Sequence, residues 1–225
     1  MKWILIAICS AAATPLLFAC DSAPVIELPA TKPSDRFAVM LTGDGGWRRI
    51  DEKVTERLRL EGIPIVGFDV PKYFRTRRTA EESACALEQL IRTYKERWHK
   101  DKVILIGYSR GADVLPFMAT RLSSDVRGSV QLIALLGLEP LIDFRFRPWW
   151  DLGRYLHHER QIRVLPEVQK LAGQNVLCVY GDAEKDTLCT QLDPSQFKIV
   201  VESGSHHFGG HYDAVAEAIL VAAQP

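Results

Sequence analysis

The stretch from Val103 to Gly111 limits the fold of this chain more than any other. Val103-Ile104-Leu105-Ile106 is a short apolar run, and it leads directly into Gly107-Tyr108-Ser109-Arg110-Gly111. A run of that length and character suits a strand buried on both faces. The G-x-S-x-G that follows suits a sharp strand-to-helix turn, which leaves the middle residue on a strained elbow with its hydroxyl exposed. A run with helical character, Ala112 to Leu122, comes next, with Val114, Leu115, Met118 and Leu122 as its apolar positions. The motif therefore stands in the context that gives it chemical meaning, and Ser109 is the candidate nucleophile.

The remainder of the chain alternates in the same way. Strands are predicted at Arg36–Leu41, Pro64–Phe68, Val130–Leu136, Asn175–Tyr180 and Phe197–Val201, in addition to the one before Ser109. Helices are predicted at about Asp51–Leu60, closed by Gly62, and at about Asp213–Ala222. A long third helix opens at Thr79-Ala80-Glu81-Glu82, a capping box. Its stripe of Ala84, Leu87, Leu90, Ile91, Tyr94 and Trp98 has helical spacing. Alternation of this kind predicts an α/β fold: a mainly parallel sheet of about six strands with helices on both faces. The segment 139–172 breaks the alternation and reads as a small lid insertion, rich in arginine and carrying Trp149 and Trp150. The 36–225 region is then one domain of α/β-hydrolase type.

A serine hydroxyl is a poor nucleophile until a base takes its proton and donors receive the oxyanion. In the α/β-hydrolase arrangement the order along the chain is serine, acid, histidine, each on a loop after a strand. The histidine falls in Gly204-Ser205-His206-His207-Phe208. A base three residues after the glycine and just before an aromatic favours His207 over His206. The acid falls in Gly181-Asp182-Ala183-Glu184-Lys185-Asp186-Thr187-Leu188-Cys189. Asp186, at the head of an Asp-x-apolar-apolar run, is favoured, with Glu184 as the alternative. The oxyanion donors are expected to be the backbone N–H groups of Arg110 and, from the glycine-rich turn after the first strand, Asp44. No cofactor is expected, and the spacings do not suggest a metal site.

Ahead of the domain, Met1-Lys2 precedes a largely apolar stretch from Trp3 to Phe18 that is too short and proline-broken for a comfortable span. Residues 1–19 read as a secretory signal. The run Leu17-Phe18-Ala19-Cys20 resembles a lipobox, making Cys20 a candidate lipidation site, with ordinary cleavage nearby as the alternative. Residues 20–35, holding Pro24, Pro29 and Pro33, read as a linker. Export permits disulfides. Cys178 and Cys189 are the nearest pair, and a bridge or a buried thiol fits them equally. The 28 basic residues are matched by 28 acidic ones, so no overall field draws the chain to nucleic acid.

Several stretches together resemble the VirJ family, including the C-terminal domain of AcvB-type proteins: LTGDGGW (41–47), the Tyr73-Phe74 to Arg78-Thr79 loop, GYSRGADVLPF (107–117), YGDAEKDTLC (180–189) and GSHHFGG (204–210). The resemblance implies a periplasmic serine hydrolase of α/β-hydrolase fold. For AcvB-type members it implies removal of lysine from lysyl-phosphatidylglycerol, and for VirJ an association with type IV secretion of virulence factors. A membrane phospholipid is then the expected substrate, and secretion-system or virulence proteins are the expected partners. On that footing Arg75, Arg78 and the lid arginines would meet the lipid phosphate, and Asp113 the lysyl ammonium. A periplasmic adaptor and a general carboxylesterase or lipase are the alternatives. If Cys20 carries lipid, the enzyme sits at the inner membrane.

Overall fold

The computed structural model describes residues 20–147 and 161–224. Nine strands are found there: β1 (Val25–Leu28), β2 (Arg36–Leu41), β3 (Ile65–Phe68), β4 (Lys102–Tyr108), β5 (Val130–Leu136), β6 (Leu141–Ile142), β7 (Ile162–Arg163), β8 (Val176–Gly181) and β9 (Lys198–Glu202). Seven of them form one sheet in the order β1-β3-β2-β4-β5-β8-β9. All neighbours are parallel except β1, which runs antiparallel to β3. β6 and β7 form a separate antiparallel pair.

Beyond Arg36, Lys102 and Gln131 near their starts, the central strands are apolar because both faces of the sheet are covered. On one face Phe37, Val39, Leu41, Val103 and Leu105 pack against α3 (Ala80–Trp98) and α4 (Arg110–Ala119) through Leu87, Ile91, Val114, Leu115 and Met118. On the other, Ala38, Met40, Ile104 and Ile106 meet α1 (Arg49–Leu60) and the C-terminal helix Tyr212–Ala222, through Val54, Leu58, Val215 and Ile219. The period-2 alternation of the strands distributes their side chains to the two clusters. The long helix opens as its sequence requires: the Glu82 N–H donates to Thr79 Oγ1 at 3.0 Å, and Thr79 N–H to Glu82 Oε2 at 2.7 Å.

The chain leaves β2 for β3 on one side and returns to β4 on the other. The crevice at the carboxyl ends of β2 and β4 is thus a topological switch point, where open α/β sheets bind ligands. The glycine-rich turn after β2 and the elbow at Ser109 both lie there.

Two expectations are corrected and a third point, left open between two readings, is decided. The sheet has seven strands rather than about six, because the stretch read as a linker contains β1. Only four residues long and flanked by prolines, β1 carries little signal of its own. It is held by pairing of Val25 through Leu28 with Phe68 through Ile65, and by Tyr94 O–H donating to Glu27 Oε1 at 2.6 Å. Secondly, Cys20 is joined to Cys85 on α3 by a disulfide. A sulfur in a disulfide is not available for a lipid thioether, so the structure gives Cys20 a tethering role. Thirdly, Cys178 and Cys189 are bridged, with Cα atoms 5.6 Å apart, which decides between the two readings of that pair.

The signal segment, Trp149 and Trp150 lie outside the described residues. Among the described residues no helix is long and apolar enough to cross a membrane. The two ends of the predicted lid are ordered around the β6–β7 pair, with Val164 N–H bonded to the Pro140 carbonyl at 3.0 Å.

Candidate active site

Ser109 has φ 52° and ψ −125°, a left-handed conformation that a residue with a side chain adopts only under constraint. The constraint is visible on both sides of it. Ser109 N–H is bonded to the Leu136 carbonyl at 2.8 Å. A Cβ on Gly107 would collide with the carbonyl of Gly111, and one on Gly111 with the carbonyl of Leu41. Each glycine of the motif is thus required by a backbone approaching too closely for any side chain. The elbow starts α4, so the first N–H groups of that helix face the serine without intrahelical acceptors.

The turn after β2 lies directly against this elbow: a Cβ on Gly43 would sit 3.2 Å from Ser109 Cβ. Among the described residues, neither the Asp44 nor the Arg110 N–H has a backbone acceptor. Their side chains pair with each other, Arg110 Nε to Asp44 Oδ1. Arg110 also donates to the Asp143 carbonyl at 2.9 Å and lies over the Phe146 ring, 5.6 Å from its centroid. The charged side chain at position 44 therefore serves to hold Arg110 across the mouth of the site.

The acid–base pair differs from the favoured reading. His206, not His207, faces a carboxylate: its Nδ1 lies 2.6 Å from Glu184 Oε1. Asp186 is exposed, beyond a turn closed by Glu184 N–H to the Gly181 carbonyl at 2.9 Å. That turn swings Glu184 back toward the histidine loop, while Thr187 and Leu188 go into the core. The two loops are stitched together by Gly204 N–H to Asp182 Oδ1 at 2.8 Å and Ala183 N–H to the Gly204 carbonyl at 2.9 Å. Glu184 was the alternative acid, and His206 the disfavoured base.

The physical reason is the burial of Phe208. That side chain is fully buried, with φ 52°, among Tyr108, Val215 and Ile219. Sinking it turns the preceding His207 outward, where its Nδ1 lies 2.8 Å from the Tyr108 hydroxyl. His206 is left over the end of β5, against Gly137: a Cβ there would come 2.7 Å from His206 Cε1. Leu136, whose carbonyl holds Ser109, is the neighbour of that glycine. No hydrogen bond joins His206 to Ser109 among the described residues; catalytic contacts of this kind commonly tighten only with substrate bound.

Glu184 raises the His206 pKa above the ordinary imidazole value of 6.5, chiefly through their hydrogen bond and against the opposing effect of burial. The carboxylate on Nδ1 fixes the tautomer whose Nε2 is free to accept a proton.

A cavity of about 180 Å³ opens at Ser109. It is lined by carboxylates at Asp44, Asp113, Glu139 and Asp143 and by guanidinium groups at Arg110, Arg145 and Arg147. Asp113 is buried, its Oδ1 accepts the Glu139 N–H at 2.8 Å, and burial pushes its carboxyl well above the usual range. It forms one of the buried walls of the cavity.

Arg75 and Arg78 do not line the cavity. Arg75 is exposed; Arg78 pairs with Asp21, stacks over Tyr73 at 5.0 Å, and gives its N–H to the Phe144 carbonyl at 2.9 Å. With Arg77 on Asp143 at 2.8 Å, the basic loop props the base of the lid from outside. Glu139 and Asp143 were missed by sequence reasoning; their position just after a strand end was the available signal. Among the described residues no group of three or more histidine, cysteine or carboxylate side chains is placed to hold a metal ion.

The sheet order and the elbow define an α/β-hydrolase fold, and solved structures agree. Est1E from Butyrivibrio proteoclasticus, with ferulic acid bound, superposes with a TM-score of 0.63 at 19% identity, over 89% of this chain and 94% of that one. MenH from S. aureus gives 0.63 at 13% identity, over 89% and 99%. The Pyrococcus furiosus esterase Pf2001 gives 0.59 at 15%, over 89% and 90%. No curated protein sequence matches the chain. The pattern of the bacterial virulence protein (VirJ) family matches residues 35–225, and the chain belongs to that family.

Proposed function

We propose that the protein is a serine esterase that cleaves the aminoacyl ester of an aminoacylated phosphatidylglycerol, lysyl-phosphatidylglycerol being the leading case. The observation that carries the esterase reading is the joint placement of Ser109 on its strained elbow and the Glu184–His206 pair beside it. Ser109 Oγ attacks the ester carbonyl as His206 Nε2 takes its proton. The Asp44 and Arg110 N–H groups receive the oxyanion. His206 returns the proton to the departing glycerol oxygen, and a water, deprotonated by the same histidine, releases the amino acid from Ser109.

The cavity favours a substrate carrying both signs of charge, since carboxylates and guanidinium groups line one small volume. Glu139 suits an ammonium, and Arg145 and Arg147 suit a phosphodiester. An exported, periplasmic setting fits the two disulfides, which persist in oxidising compartments. The test is release of lysine from lysyl-phosphatidylglycerol vesicles by the wild type and by Ser109→Ala. The variant should lose on the order of 10⁴-fold or more, because removing the nucleophile disables the whole triad unit. Equal release by the two would refute the serine mechanism. Equal turnover of simple 4-nitrophenyl esters and aminoacyl lipid would favour a general esterase.

A further inference from the structure

Tyr108 stands at the centre of the site without belonging to the triad. Its side chain is buried, and it precedes Ser109 directly. A Cβ on Gly43 would touch its ring at 3.2 Å, so the oxyanion turn rests on it. From the other side, three successive residues of the histidine loop surround the same ring: centroids of His206, His207 and Phe208 lie 5.4, 6.2 and 6.4 Å away. Its hydroxyl lies 2.8 Å from His207 Nδ1 and, more distantly, 3.4 Å from the His206 carbonyl. One arrangement of protons satisfies both contacts. His207 Nδ1–H donates to the phenol oxygen, and the phenol O–H donates to the carbonyl of His206.

Resting on the serine-hydrolase reading, we propose that Tyr108 and His207 form a positioning pair that fixes the backbone of the base. Glu184 holds the His206 ring by one nitrogen, which leaves the ring free to swing with its loop. The Tyr108 hydroxyl pins that loop at the residue bearing the ring and at the next one. Because Tyr108 also carries the oxyanion turn and adjoins the nucleophile, one side chain sets three reacting parts against each other. His207 is therefore the partner of the strut and never touches substrate.

The experiment measures kcat and KM for 4-nitrophenyl acetate in Ser109→Ala, Tyr108→Phe, His207→Ala, His207→Asn and the Tyr108→Phe/His207→Ala double variant. Misplacing a reacting group by a fraction of an ångström lowers kcat, so Tyr108→Phe and His207→Ala should each lose about tenfold in kcat with KM within about twofold. The double variant should lose no more than the worse single one, because both remove one interaction. His207→Asn, whose amide N–H reaches where Nδ1–H stood, should recover most of kcat. A wild-type kcat in Tyr108→Phe, multiplying losses, or failure of asparagine to rescue would overturn the pair while leaving the triad intact. If Tyr108→Phe does not fold, the exposed His207 variants decide the matter alone. Undiminished turnover by Ser109→Ala would instead bring down the serine mechanism and the pair with it.

Discussion

The nucleophile elbow and the acid–base loops are neighbours across Tyr108 and the end of β5 but are specified in different ways. The elbow is local: a buried strand, two glycines and a helix start, all within Val103–Ala119, force Ser109 into its conformation. The acid and base sit on loops after β8 and β9, and their pairing depends on which neighbours sink into the core. Phe208 goes under and turns His207 out; Thr187 and Leu188 go under and leave Asp186 exposed. A local constraint can be read from residue order, whereas a choice between adjacent candidates is made by packing.

The largest effect that could break this contrast lies with the two histidines. His206→Ala should cost on the order of 10⁴-fold in kcat/KM, since loss of the base disables the nucleophile with it. His207→Ala should cost far less. Reversed magnitudes in an ester assay would restore the reading made from spacing. Glu184→Gln should follow, at about 10²- to 10⁴-fold, and Asp186→Asn should change little. In the wild type, the acid limb of kcat/KM should lie above 6.5, because Glu184 raises the His206 pKa and only the neutral imidazole accepts the serine proton. Glu184→Gln should move that limb to lower pH, and an unmoved limb would deny the coupling. The same shift makes a stabilising contribution that is full below the unfolded pKa and is lost as pH rises through the folded one.

On the elbow side, Gly111→Ala should destabilise the fold by about 3 kcal/mol or more, as overpacking against the backbone does. An unchanged urea midpoint would show that the collision with Leu41 is relieved cheaply. The acid loop has its own support in the Cys178–Cys189 bridge, whose removal by paired serine substitutions should cost about 2–4 kcal/mol. Thermal melting checks it.

A pH-dependent effect concerns Asp51 on α1, fully buried with Oδ1 unbonded among the described residues and its carboxyl raised to about 7 by burial. The folded chain keeps a proton there that the unfolded chain loses near 3.8. Stability therefore falls as pH rises from that value to about 7 and stays lowered above it. Asp51→Asn should raise the Tm at pH 8.5 relative to wild type and do so less at pH 5; equal changes at both would refute the titration.

Much of the fold was legible because strand burial and helix capping leave periodic signals. The strand at Arg36–Leu41 and the Thr79–Glu82 box appear in the structure as read. β1 was not legible, since four residues paired at an edge depend on β3 rather than on themselves. The partnership of Arg78 with Asp21 was equally hidden, being a contact between distant segments.

The direction of β1 has one further consequence. Because it is antiparallel to β3, with Val25 opposite Phe68 and the Asp69 N–H on the Pro24 carbonyl, the chain enters the sheet at its carboxyl edge. Cys20 is clipped to α3 there, and Asp21 reaches the loop that props the lid. The first turn of the described chain is thus part of the rim of the site, and whatever loosens it is felt at the mouth rather than at the far end of the sheet.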